Sequence, residues 1–216
     1  MHLSLMSSAP EFKTKLYGRT DAQTASWNSL VQQWIPISEV QTFVDGTAFT
    51  GGGSVRLASL FSSSTGLAVE MSSETASELQ KNITKRGLSD RVQCRHANIL
   101  EMIRQERVSA DLVYLDPNWD WKRSYDRTHP DWEMALVDKP GLPPQSLCDV
   151  INSAFRSGLC LKYLLLEVPL NFDINTLKEH WFSECTLEKT GNIYDTRRKR
   201  DVMTLVLFRA TGENVS

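Results

Sequence analysis

From residue 40 onward, short apolar runs alternate with stretches of helical periodicity, and this alternation confines the chain to a layered, mostly parallel α/β sheet. Val40–Val44, Thr65–Val69, Arg91–His96, Asp111–Leu115 and Tyr163–Val168 read as strands. Val55–Phe61, Ser73–Lys85, Ile99–Glu106, Pro144–Ser157 and Ile174–His180 read as the intervening helices, with Gly87 where a C-terminal capping glycine belongs. Cys185–Glu188 and Val202–Arg209 read as a closing antiparallel pair. The expectation is a seven-stranded, mostly parallel sheet between helices, ending in an antiparallel C-terminal hairpin, over residues 40–216. Residues 1–39 read as a helical appendage. Within Thr24–Ile35, the residues Trp27, Leu30, Val31 and Trp34 recur at i, i+3, i+4, i+7 spacing, and Asp21 is a candidate N-cap. Such a helix either packs on the main domain or acts as a lid that brings a tryptophan to a substrate.

Composition removes several function classes. A net charge of −2 lacks the basic excess common in nucleic-acid binders, so any such footprint must be local. The cysteines Cys94, Cys148, Cys160 and Cys185 are far apart and unpaired in sequence, which predicts no metal site and buried thiols in a reducing compartment. No apolar run reaches the length of about 18 residues that suggests a membrane span. Met1–Pro10 lacks the basic start of a secretory signal, and Glu11 and Asp21 speak against a mitochondrial presequence. Cytoplasm or nucleus is the expected location.

In open α/β sheets, ligands bind beyond the carboxyl ends of the strands. The residues there are Asp45, Glu70, Asn98 and Asp116, one at each successive strand–helix junction. One such residue is an ordinary helix cap. Four in register suit a ligand with a ribose, an adenine amine and a cationic centre. The first junction runs Asp45-Gly-Thr47-Ala48-Phe-Thr-Gly51-Gly52-Gly53-Ser54. Its glycines allow close backbone approach, and the following helix offers N–H groups. It matches neither GxGxxG nor a P-loop. Glu70 lies where an acid takes ribose hydroxyls, with Met71 beside it to pack on an adenine face. Asn98 can bind an adenine edge or cap the helix that begins at Ile99. The expected cofactor-binding set is Asp45, Thr47, Ala48, Gly51, Gly52, Gly53, Glu70, Met71, Asn98 and Ile99, and the cofactor is S-adenosylmethionine.

The segment Asp111-Leu-Val-Tyr-Leu-Asp116-Pro117-Asn118-Trp119 resembles the (D/N/S)PP(Y/F/W) motif of amino-group methyltransferases. An exocyclic amine is a poor nucleophile because its lone pair is delocalised into the ring. Acceptors on its N–H groups, here the Asp116 carboxylate and the Pro117 carbonyl, redirect that pair. Trp119 is expected to stack on the base and align it. Asn118 replaces the second proline, and its amide has no derived role. Asp116, Pro117, Asn118 and Trp119 form the expected catalytic group. The plainer reading is a loop after a strand, with Trp119 and Trp121 as packing residues.

Across residues 40–209 the chain resembles the trimethylguanosine synthases, the cap guanine-N2 methyltransferases of the Rossmann-like class I group. The resemblance rests on Asp45 with Gly51-Gly52, on Ala68-Val-Glu70, and on Ala97-Asn98-Ile99 in place of Gly-Asp-Phe. It rests further on Asp116-Pro117-Asn118-Trp119, and on Val168-Pro169-Leu170-Asn171-Phe-Asp173-Ile174 near Leu-Pro-Arg-Asn-x-Asp-Ile. It implies methylation of guanine N2 in RNA, cap or otherwise, with Trp119 on the purine. Leu170 stands where that family has an arginine, which weakens the link to cap phosphates.

Two further segments bear on a nucleic-acid partner. Tyr194-Asp-Thr-Arg197-Arg198-Lys199-Arg200 is a basic cluster between the last two strands, either a solvated hairpin tip or a phosphate contact. Trp121, Arg123, Tyr125, Arg127 and Trp132 mix aromatic and basic residues in the long loop between Trp119 and Pro144. His96, His129 and His180 show no ligand-like grouping. The alternatives that stand are an adenine-N6, small-molecule or protein amine as target, or a catalytically degenerate module that binds RNA or a partner protein. Oligomeric state leaves no mark in the sequence.

Overall fold

The computed structural model describes residues 21–105, 109–117, 119, 133–134 and 145–211. In chain order the elements are α1 (Asp21–Trp34), a 3-10 turn (Ile37–Glu39), β1 (Thr42–Asp45), α2 (Gly52–Leu60), β2 (Thr65–Glu70), α3 (Ser73–Lys85), β3 (Val92–His96), α4 (Ile99–Gln105) and β4 (Ala110–Leu115). There follow β5 (Glu133–Met134), β6 (Gln145–Ser146), α5 (Leu147–Arg156), β7 (Cys160–Pro169), α6 (Ile174–Glu179), β8 (Cys185–Asp195) and β9 (Arg200–Ala210). Seven strands form one sheet in the order β3-β2-β1-β4-β7-β9-β8, while β5 and β6 make a separate antiparallel pair. β1, β2, β3, β4 and β7 run parallel, and β9 is antiparallel to both β7 and β8.

The central strands are apolar because helices cover both faces of a parallel sheet. All of β4 is buried, as are Leu164, Leu165 and Leu166 of β7. On α3, Leu79 and Ile83 face the sheet. The Ser72 hydroxyl caps its start by accepting from Thr75 N at 3.3 Å. Gly87, at φ +67°, follows its end in the left-handed conformation that a side chain disfavours. At the far end of the sheet, Asp111 accepts from Gln41 N at 2.8 Å and Thr42 N at 3.0 Å, and pairs with Lys162 at 2.9 Å. Burial raises the Asp111 carboxyl, but Lys162 and those N–H groups outweigh it and hold it below the usual range.

Several boundaries differ from the sequence expectation. β1 starts at Thr42, because the chain before it closes the 3-10 turn. α2 begins at Gly52, so the glycine run opens the helix and does not merely precede it. The hairpin strands are 11 residues each, much longer than Cys185–Glu188 and Val202–Arg209. The added stretch of β8 is covered by α1: Trp27, Val31 and Ile35 are buried, and a Cβ on Gly191 would lie 2.8 Å from the Trp34 ring. Trp27 meets Tyr114 edge-on at 5.8 Å, deep in the core, while Trp34 is half-buried against Gly191 of β8, so the helix packs on the domain. Among the described residues no helix is long and apolar enough to cross a membrane, and no group of His, Cys, Asp and Glu could hold a metal. All four cysteines are free thiols.

Candidate active site

The strand order β3-β2-β1-β4 sets Asn98, Glu70, Asp45 and Asp116 in one row along the carboxyl edge of the sheet. Register keeps them level: Glu70 pairs with His96, and Asp45 with Ala68 and Tyr114. The four residues read from the sequence as strand ends therefore share one rim.

The glycine turn is pinned across that rim by its own backbone. Gly46 N donates to Tyr114 O at 2.9 Å and Ala48 N to Val69 O at 2.9 Å. Gly51 takes φ +103°, and its N–H closes onto Ala48 O at 2.8 Å. A Cβ at Gly53 would fall 2.7 Å from both Asp45 Oδ2 and the Tyr114 ring, so the first turn of α2 lies directly on the strands. Asp45 is buried beneath, accepting from Ser54 Oγ at 2.6 Å and Thr47 N at 3.4 Å. Burial pushes its carboxyl up to about 6, against the pull of Ser54, Thr47 N–H and the Arg56 guanidinium. In this geometry Asp45 braces the turn from below.

Glu70 sits at the other lip. Its Oε2 accepts from Phe49 N at 3.0 Å and its Oε1 from Ser72 N at 2.8 Å, which fixes the carboxylate while each oxygen keeps a second lone pair. Phe49, at φ +47° and 57% exposed, and Met71, at 45%, stand apolar and open on either side of Glu70. His96 Nε2 lies 3.0 Å from Met71 O and steadies that segment. Asn98 caps α4 through Oδ1 to Leu100 N at 2.9 Å. Ile99 is buried against Gly46, and Ala48 is buried too.

Asp116 and Pro117 lie beside the glycine turn. The Asp116 N–H donates to Thr47 Oγ1 at 2.7 Å, joining the two motifs directly. Trp119 is 6% exposed: its Nε1 donates to Glu167 O at 2.9 Å, and its ring meets Phe172 edge-on at 5.8 Å. This anchoring covers most of the surface on which a base was expected to stack. Asn118 lies outside the described residues, as do Trp121, Arg123, Tyr125, Arg127, His129 and Trp132.

Below the row runs a buried polar chain that sequence reading missed. The Tyr114 hydroxyl donates to Glu167 Oε2 at 2.7 Å and accepts from Arg56 Nη2 at 3.0 Å. The Arg56 guanidinium stacks 4.8 Å from the Trp27 ring, an arrangement that partly offsets the cost of burying its charge. The available signal was one charged residue inside an apolar run: Arg56 in Val55–Leu60, and Glu167 in Leu164–Val168. Phe49 and Phe172 carried no such signal.

No protein-family model matches the chain. It is similar to the tRNA1(Val) (adenine(37)-N6)-methyltransferase of Escherichia coli, 30% identical over 118 residues that cover 52% of this chain and 48% of that protein. The chain thus spans about half the length of the curated relatives it matches. Among solved structures, the candidate methyltransferase yhhF of Escherichia coli aligns with a TM-score of 0.61 at 13% identity, over 92% of this chain and 91% of that one. A candidate rRNA-methylase of Clostridium thermocellum aligns with a TM-score of 0.55 at 13% identity, over 89% and 100%. The fold is the Rossmann-like α/β architecture of these proteins. The relative's target is an adenine, whereas the trimethylguanosine synthase resemblance implied guanine N2. The likeness therefore lies with class I methyltransferases at large, and not with the cap enzymes in particular.

Proposed function

We propose that this chain is an S-adenosylmethionine-dependent methyltransferase acting on an exocyclic amine of a nucleic-acid base, with adenine N6 in RNA as the favoured target. The observation that carries the reading is the 2.7 Å bond from Asp116 N to Thr47 Oγ1, which sets the amine-binding turn against the glycine turn. The rim fits the cofactor by its chemistry. Glu70 offers lone pairs for ribose hydroxyls, Phe49 and Met71 offer apolar cover for an adenine, and Gly51 and Gly52 carry no side chain to block close approach. The bound cofactor supplies a methyl group already activated on a sulfonium. The residues then have only to hold the amine in line: the Asp116 carboxylate and the Pro117 carbonyl accept its N–H groups and turn the lone pair outward. Trp119, wedged between Phe172 and the Glu167 carbonyl, fixes the end of that turn and walls the pocket.

The adenine preference follows the tRNA relative. Guanine N2 is the second reading, favoured by the Val168–Ile174 segment, whose Phe172 touches Trp119. Titration with S-adenosylhomocysteine, in the protein and in Glu70→Ala, tests the cofactor site. Labelled methyl transfer to adenine-only and guanine-only single-stranded RNA then separates the bases. Saturable binding lost in Glu70→Ala, with transfer to adenine, is the expected result. No binding at high micromolar ligand overturns the enzyme reading in favour of a degenerate module.

A further inference from the structure

We infer that the tip of the β8–β9 hairpin is a phosphate-binding site for substrate RNA, engaging the strand several nucleotides away from the base being modified. The inference rests on the proposed RNA methyltransferase reading and extends it to the chain's grip on its substrate.

Register places the tip on the active edge. β7 runs parallel to β4, with Leu115 paired to Leu166, and β9 runs back along β7 with Val206 opposite Leu166 and Met203 opposite Pro169. β9 starts three residues beyond Met203, at Arg200, which pairs with Asp195 at the end of β8. The turn 196–199 therefore projects past the same rim that holds Asp116. Six residues separate Val206 from Arg200, a rise of about 20 Å along the strand, and two strand spacings add about 10 Å sideways. The tip thus stands on the order of 20 Å from Asp116, about six nucleotides of a stacked strand at roughly 3.4 Å each.

Its chemistry is concentrated and outward-facing. Arg197, Arg198, Lys199 and Arg200 are consecutive cations in a chain whose net charge is −2. All four are exposed. The buried Asp195 carboxylate organises the turn, accepting from Arg197 N at 2.9 Å, Arg198 N at 3.2 Å and the Gln23 amide at 2.8 Å. Arg198 reaches the buried Asp195 only at 3.6 Å, and Arg197 reaches the exposed Asp21 at 3.8 Å, a long surface pair that a phosphate can displace. Among the described residues Lys199 and Arg200 show no such pair. Tyr194, 41% exposed, stands at the base of the tip as a surface on which a base can stack.

The experiment compares binding of a 12-nucleotide single-stranded RNA and a trinucleotide by fluorescence anisotropy across a salt series, with S-adenosylhomocysteine titrated in parallel. Lys199→Asn/Arg200→Gln is expected to weaken the longer RNA about tenfold at low salt and to flatten its log–log salt slope by about 1.4. The trinucleotide, too short to reach the tip, should bind both proteins alike, and Lys199→Arg/Arg200→Lys should restore the longer RNA. An unchanged affinity and slope for the longer RNA, with S-adenosylhomocysteine still bound, overturns the inference and leaves the enzyme reading intact. Equal weakening of both RNAs overturns it too, as does binding of anionic phospholipid vesicles with no measurable RNA affinity. Loss of S-adenosylhomocysteine binding in the unmodified protein is the separate outcome that removes the enzyme reading.

Discussion

The Tyr114 hydroxyl and the Glu167 carboxylate meet at 2.7 Å in the core, tying β4 to β7 one layer beneath Asp116. Tyr114→Phe leaves the ring in place and removes the only hydroxyl joining Arg56 to Glu167 among the described residues. Removing one partner of a buried polar pair costs about 1–3 kcal/mol, so denaturant unfolding should show a loss of that size. The same variant should lower kcat several-fold with little change in cofactor affinity, because the support lies under the proposed amine site. A stability unchanged within about 0.5 kcal/mol would sink the account of this chain as a brace.

Asp45 gives the fold an unusual pH dependence. In the unfolded chain its carboxyl ionises near 3.8, and in the folded chain near about 6. Between those values the folded protein holds more protons, so stability falls as pH rises and levels off above about 6, by roughly 3 kcal/mol at most. Asp111 contributes with the opposite sign, as does Asp195. Burial raises Asp195 as well, but the N–H groups of Arg198 and Arg197 and the Gln23 amide outweigh it. Their stabilisation is present above the usual carboxylate range and is lost as pH falls. Asp45→Asn removes only the first contribution, so its stability relative to the parent should climb between pH 4 and about 6.5. Parallel curves would show that the carboxyl is not held protonated.

Trp119 separates anchoring from stacking. Trp119→Phe keeps an aromatic ring but loses the bond to the Glu167 carbonyl, and should cost about 1 kcal/mol of stability. Trp119→Ala also opens a cavity and should cost about 3–5 kcal/mol. If anchoring is the role, Phe retains S-adenosylhomocysteine affinity and loses kcat several-fold, with the KM for RNA nearly constant. A KM that rises in Trp119→Phe while stability holds would assign the indole to the base instead.

Phe49 trades stability for a place on the rim. A bulky residue at φ +47° carries backbone strain of about 1–2 kcal/mol, and its ring is largely open to solvent. Phe49→Asn, a residue that tolerates this conformation, should raise the melting temperature while weakening S-adenosylhomocysteine several-fold. Loss of both properties together would mean that the ring is structural.

The row of strand ends was legible because each apolar run stops at an acid or amide, and a parallel sheet brings such stops to one edge. The buried chain was not, since Tyr114 and Glu167 are 53 positions apart and Arg56 and Tyr114 are 58 apart. Only strand order makes them neighbours. Asn98 was legible as two things at once, an adenine contact or a cap, and the cap is what its Oδ1 makes. The length of β8 was hidden for another reason. Gly191 and Asn192 weaken its strand pattern, yet the missing side chain at Gly191 is the space that Trp34 occupies.

That fit of α1 onto β8 also bears on one of the sheet's two margins. β8 is an 11-residue terminal strand, and the outward N–H of Tyr194 is already taken by Ser26 Oγ at 2.9 Å. With the helix in place, a passing strand finds that backbone partly occupied and flanked by indole. Without it, the margin would be a bare template for strand addition, and copies of the chain would be drawn edge to edge. α1 therefore takes up part of that edge as well as filling the core.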